Sequence, residues 1–229
     1  MSHCNDWLVI NIKRCNSLSS IIILLSVQLM DFIKPGIVDW KRVKTLEKMS
    51  RMAAKRLQEV LANCNYAVEL GRKLNFSLVG IAGSDIMEGN KTLTLAIVWQ
   101  LMRAYTLALL SQLNSDNTPI VESEIISWAN NKLEEKSVRI RHFQDKTNKT
   151  AVPIIHLIDV IKPGVIDYSI VKDEAGMTDS DCMSNAKYAI TMARKIGAPV
   201  YALPEDITEV KHKMVMTVYA SPMLTDIKS

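Results

Sequence analysis

The chain has 229 residues, 48% hydrophobic and 23% charged, with a formal net charge of +4, the balance of a folded domain rather than a disordered segment. Only 8 Gly and 7 Pro beside 12 Met favour helices over a turn-rich β fold. The 4 cysteines (4, 15, 64, 182) form no C-x-x-C pair, which argues against a disulfide framework or zinc site and for free thiols in a reducing compartment.

In chain order, residues 18–30 form an apolar run behind Lys13 and Arg14, the pattern of a signal-peptide core. The run passes straight into the block 28–43 (QLMDFIKPGIVDWKRV), which recurs in mid-chain where no signal acts. Residues 49–74 carry apolar side chains at 49, 52, 53, 57, 60, 61, 64, 67, 68 and 71, the spacing of an amphipathic helix. Asn90 is the expected N-cap of the next helix, 91 to about 113, which is apolar round most of its circumference. Arg103 lies near its middle, and a central Arg costs about 2.5–3.5 kcal/mol to insert in a bilayer. A buried helix of a soluble domain is therefore expected, with no membrane partner. The polar cluster 114–119 (NSDNTP) marks the domain boundary.

Beyond it, a short helix at 122–133 is expected to bring Trp128 to the core. A core helix at 156–161 is stopped by Lys162-Pro163-Gly164, since Pro disfavours a helical residue before it and Gly tolerates the turn. Thr178 and Asp181 have the spacing of a capping pair that opens a helix over 179–196. That pairing, and the missing Gly and Glu, argue against a calcium loop there. The last helix is expected at 210–223. Strand-like alternation is nowhere sustained, so the fold class is all-α.

The block 28–43 reappears at 156–171 (HLIDVIKPGVIDYSIV) with 8 of 16 positions identical. Residues 63–74 (NCNYAVELGRKL) are echoed at 185–196 (NAKYAITMARKI), and Asp85-Ile86-Met87-Glu88 at Asp206-Ile207-Thr208-Glu209. The offset drifts from 128 to 122 to 121, as expected for one core with loops of unequal length. This period is too long for a solenoid repeat. A whole domain is duplicated: an atypical segment 1–22, a first domain 23–113, a linker 114–121 and a second domain 122–223. Trp128 lies 35 residues before Pro163, and the same step back from Pro35 leaves the sequence. The first domain is therefore expected to lack its opening helix.

Catalytic signatures are missing: no HExxH, G-x-S-x-G, phosphate-binding glycine loop or G-x-G-x-x-G occurs. The 4 histidines (3, 142, 156, 212) are dispersed, and His156 on an apolar helix reads as a satisfied core or edge residue. The chain is read as non-catalytic, with no cofactor and no metal. Recognition of another macromolecule remains.

The repeated blocks, with FSLVGIAGSDI at 76–86, GNKTLTLAIVWQLMRAYTL at 89–107 and NAKYAITMARKIGAPVYALPEDITEVKHKMVMTVYA at 185–220, resemble the calponin-homology domains of the fimbrin (plastin) family. The resemblance covers about 24–221 and is to the family's C-terminal tandem. It implies two tandem helical domains, binding along the side of actin filaments, and a cytoplasmic, cytoskeleton-associated monomer. The family's EF-hands and first tandem are absent from this sequence, and residues 1–22 depart from its pattern.

The resemblance also places filament contacts on the last helix of the leading domain, here 91–107. On that helix Leu93, Ile97, Val98, Leu101 and Tyr105 form the expected core stripe. Lys91 at its start, with Thr94, Gln100, Arg103 and Thr106 beyond the stripe, are the candidate contacts. Trp99 is either a core aromatic or an interface anchor. Residues 41–58 carry seven basic side chains against one acidic, among them Lys55 and Arg56. Such a run is by default a solvated face, yet it would steer the chain toward an acidic filament. Two alternatives stand beside actin binding. One is a helical nucleic-acid binder using 41–58, although no aromatics interleave that run. The other is an inactive, truncated fragment.

Overall fold

The computed structural model describes residues 18–45, 47–113, 120–173 and 176–228, and these contain helices and turns but no strand. The chain divides into two compact units, Met1–Tyr105 and Thr106–Ser229. The expected linker 114–121 lies mostly outside the described residues, as does the atypical segment as far as residue 17.

The first unit opens with α1 (Leu18–Ile33), whose Ile23, Leu24, Val27 and Met30 enter the core at helical spacing. Lys34-Pro35-Gly36 ends it, and Gly36 turns the chain at φ +81°, a conformation costly for any residue with a Cβ. One oxygen of Asp31 then accepts the Gly36 and Val38 N–H groups at 3.2 and 3.4 Å, and the other accepts the Trp40 indole N–H at 3.2 Å. Helix α2 (Ala53–Lys73) starts later than the periodicity predicts and buries Cys64, Ala67, Val68 and Leu70 against α1. Its Gly71 packs closely, since an added Cβ would sit 2.7 Å from the end of the Leu78 side chain, which would have to shift.

The short α3 (Gly83–Met87) is tied at its start by the Ala82 N–H donating to Asp85 at 2.8 Å. Then comes α4 (Lys91–Leu113), capped as expected by Asn90, whose side-chain oxygen accepts the Leu93 N–H at 3.2 Å. The division between the units falls inside this helix. By length and composition, 91–112 is the one segment among the described residues long and apolar enough to cross a membrane.

The second unit holds α5 (Glu122–Leu133), α6 (Val152–Ile161), α7 (Asp179–Lys195), α8 (Pro204–Thr208) and α9 (His212–Lys228). Helix α5 buries Ile125, Ala129 and Leu133 along one stripe. Trp128 is only half-buried at the edge of the core, its indole N–H donating to Asp226 at 3.2 Å. The Thr178–Asp181 capping pair forms in both directions, at 3.2 and 2.9 Å. Helix α9 is the centre of this unit and packs on α5, α6 and α8.

The duplication is written in hydrogen bonds as well as letters. Asn63 brackets Lys44 as Asn185 brackets Lys172. The Tyr66 hydroxyl accepts the Asp39 N–H at 2.7 Å, and Tyr188 accepts that of Asp167 at 2.8 Å. Asp206 repeats the Asp85 cap on Leu203 at 2.9 Å. Among the described residues, the first unit has no helix that answers α5.

Candidate functional site

Helix α4 carries five of the seven candidate residues. At about 100° per residue, its core stripe is the half-buried Leu93 with the buried Ile97 and Leu101, and Tyr105 lies at the edge, its ring tilted 49° and 5.1 Å from that of Phe32. Val98 was expected on that stripe but lies 37% exposed, about 100° round the helix from Ile97. Trp99 points out as well, at 39% exposed, so the core reading of it is corrected.

The candidates do not share a face. Lys91 is exposed at the first turn. Thr94 is half-buried, and its hydroxyl has no hydrogen-bond partner among the described residues. Gln100, expected on the open surface, is half-buried and employed in holding the 76–80 loop. Its side chain accepts the Ser77 N–H at 2.6 Å and donates to the Ser77 carbonyl at 3.0 Å. Arg103 is half-buried, roughly 18 Å along the axis from Lys91 at 1.5 Å per residue. Thr106, also expected on the surface, is 6% exposed.

Lys55 and Arg56 stand in the first turn of α2, Lys55 exposed and Arg56 half-buried. Around them Lys41, Lys44, Lys48 and Arg51 are exposed, so the basic run is an open face. Arg42 is its exception. The guanidinium grips Glu69 through two hydrogen bonds, at 2.7 and 3.2 Å, and lies 4.0 Å over the Tyr66 ring. With Lys73 adding a bond at 2.9 Å, Arg42 and Lys73 pull the Glu69 carboxyl down to about 2.

Among the described residues, no group of three or more His, Cys, Asp or Glu is placed to hold a metal ion. His156 meets the Tyr168 hydroxyl at 3.1 Å, and Tyr168 donates to Asp159 at 3.0 Å, which also accepts from Lys136 at 2.9 Å. Burial holds the His156 imidazole below its ordinary value. This network closes the turn after α6 and needs no substrate to explain it. Burial also pushes the Cys64 thiol up to about 11, an unreactive thiol rather than a nucleophile.

The architecture, a duplicated helical unit with a central apolar helix, coincides with what sequence comparison finds. The family described as Calponin homology (CH) domain matches residues 17–107 and again 119–225.

The chain belongs to the calponin homology domain family.

Both calponin homology units align with plastins: human Plastin-3 is 49% identical over 203 residues, 87% of this chain and 31% of that protein. Fimbrin of Dictyostelium discoideum is 43% identical over 199 residues, 86% of this chain and 32% of that protein. The crystal structure of the actin-crosslinking core of Schizosaccharomyces pombe fimbrin superposes with a TM-score of 0.60 at 38% identity. The superposition covers 90% of this chain and 42% of that one. The chain thus spans about a third of the length of these curated relatives.

The sequence reading missed an open apolar face on α4, formed by Leu95, Val98 and Trp99. The signal for it lay in the duplication. With the offset of 121, the positions matching Leu95, Val98 and Trp99 are Met216, Tyr219 and Ala220, all wholly buried on α9.

Proposed function

We propose that this chain is a non-catalytic actin-filament binding module, the C-terminal tandem of a fimbrin-like cross-linker acting in the cytoplasm on the cytoskeleton. The observation that carries the reading is the match of both calponin homology units to the actin-crosslinking core of fimbrin at 38% identity across 90% of the chain. The open basic face supports it. Lys55, with Arg56 beside it in the first turn of α2, and Lys91 at the start of α4 offer charge to an acidic filament. Arg103 extends the contact along α4, and Thr94 and Gln100 shape it, while Thr106 serves from within the fold. The chain acts as a monomer on one filament, without cofactor, membrane or nucleic acid.

Filament co-sedimentation over a salt series, run beside binding to a polynucleotide, tests this reading. Saturable, salt-weakened pelleting with actin and no polynucleotide binding is expected. Polynucleotide binding without pelleting would reverse the assignment.

A further inference from the structure

The two units close the same turn with different chemistry. In the first, Asp31 accepts the Gly36 N–H and the Trp40 indole N–H at 3.2 Å each, with the half-buried Gln28 one turn before it. In the second, at the offset of 128, Asp159 accepts the Gly164 N–H at 3.4 Å and the Tyr168 hydroxyl at 3.0 Å, and His156 takes the place of Gln28. His156 Nδ1 lies 3.1 Å from that hydroxyl. Lys136 Nζ reaches the hydroxyl at 3.5 Å and Asp159 at 2.9 Å.

Proton positions follow from these distances. A phenol 3.0 Å from a carboxylate gives its single proton to that carboxylate, so the hydroxyl can only accept from His156. The neutral imidazole therefore carries its proton on Nδ1, and Nε2 is the bare nitrogen, 4.0 Å from the Asp173 carboxylate. A second proton goes to Nε2. It breaks no bond, but it sets a positive charge in a side chain only 15% exposed, beside the Lys136 ammonium. Asp173 favours that charge from a carboxylate 65% exposed, where water screens it, and Asp159 favours it while already bound to Lys136. Burial, reinforced by Lys136, outweighs both and holds the imidazole below its ordinary value.

We propose that the turn after α6 is an acid-released latch, in which uptake of the Nε2 proton by His156 frees the 162–173 segment from α6. The open form, with His156 in water, takes this proton more readily than the closed one. The closed turn thus keeps its full stability above the ordinary imidazole value of about 6.5 and loses it as the pH falls below that value. The first unit holds Gln28 and Trp40 at the positions of His156 and Tyr168, and neither side chain takes up a proton in this range, so its turn lacks the response. Mild acid then loosens the second unit selectively, whether or not the chain engages a filament.

Amide exchange of the full chain tests it, read by mass spectrometry at about pH 7.5 and about pH 5.0 and corrected for intrinsic rates. On acidification the opening constant over 162–173 should rise at least roughly threefold, while that over 34–45 stays within about 1.5-fold. His156→Gln, which installs the residue of the first unit, should remove the rise. Asp173→Asn, an exposed change that leaves the fold intact, should enlarge it, because the carboxylate nearest Nε2 no longer favours the charge. Four results overturn the proposal: an acid-indifferent 162–173 segment, an equal rise over 34–45, an undiminished rise in His156→Gln, or a smaller rise in Asp173→Asn. The last would show that the His156–Asp173 pair closes the turn in acid instead of releasing it.

Discussion

Asn63 holds Lys44 by both ends of its peptide unit, its side-chain oxygen accepting the Lys44 N–H at 3.0 Å and its amide donating to the Lys44 carbonyl at 2.8 Å. The pair pins the irregular 34–52 stretch to the middle of α2, which is how a loop rich in charge is held against a small core. Asn63 is buried, so Asn63→Ala leaves two backbone groups without partners at a cost of about 1–3 kcal/mol each. A drop in the melting temperature of the first unit is expected, and Asn185→Ala should do the same to the second. An unchanged melt for Asn63→Ala would mean that water replaces the clamp.

The two sides of α4 should answer differently to the same substitution. Leu101 is 2% exposed, and Leu101→Asp places an unpaired charge in the core, which is expected to unfold the first unit. Val98→Asp, on the open side, should change stability by no more than about 0.5–1 kcal/mol. Thermal melts by circular dichroism of the two variants decide it. Equal losses would contradict the division of α4 into a covered and an open side.

Much of the fold was legible because its signals are local. The Asn90 and Thr178 caps, the Pro-Gly stops and the duplicated blocks each announce themselves within a few residues, and each formed where expected. Which side of α4 is covered was not legible. A helix apolar all round gives no direction, so Val98 and Leu101 look alike until the neighbouring helices are known. The Asn63 clamp was hidden for a related reason: its partner lies 19 residues away in a segment with no period. The candidate contacts fared least well, since being outside an apolar stripe does not guarantee solvent, as Gln100 and Thr106 illustrate.

Val210 holds φ +51° at the entrance to α9, where the first unit has Gly89 at φ +78°. A β-branched residue in the left-handed region is strained by roughly 1–2 kcal/mol. Val210→Gly should therefore raise the stability of the second unit by up to about 1 kcal/mol, after allowance for the greater freedom of glycine in the unfolded chain. Chemical denaturation measures it, and a loss of stability would show that the Val210 side chain contributes more packing than its backbone costs.

Among the described residues, each unit carries one buried cysteine, Cys64 in the first and Cys182 in the second, and these report local opening. Because α4 is covered on one side and α9 on both, the first unit should open more readily. Pulsed maleimide labelling with peptide-resolved mass spectrometry should label Cys64 at lower denaturant than Cys182. Simultaneous labelling would mean that the two units unfold as one, or that the open side of α4 carries little cost.

The central claim is that the first unit presents a basic, filament-binding surface, and charge reversal tests it most directly. The measurement is co-sedimentation with actin filaments of the native chain beside a variant carrying Arg103→Glu, Lys55→Glu and Arg56→Glu. The native chain should pellet saturably, and less at higher salt. The variant, with helicity unchanged, should remain largely in the supernatant. Equal pelleting of the two chains would contradict the assignment of this surface to the filament, and no pelleting of the native chain would contradict the assigned function itself.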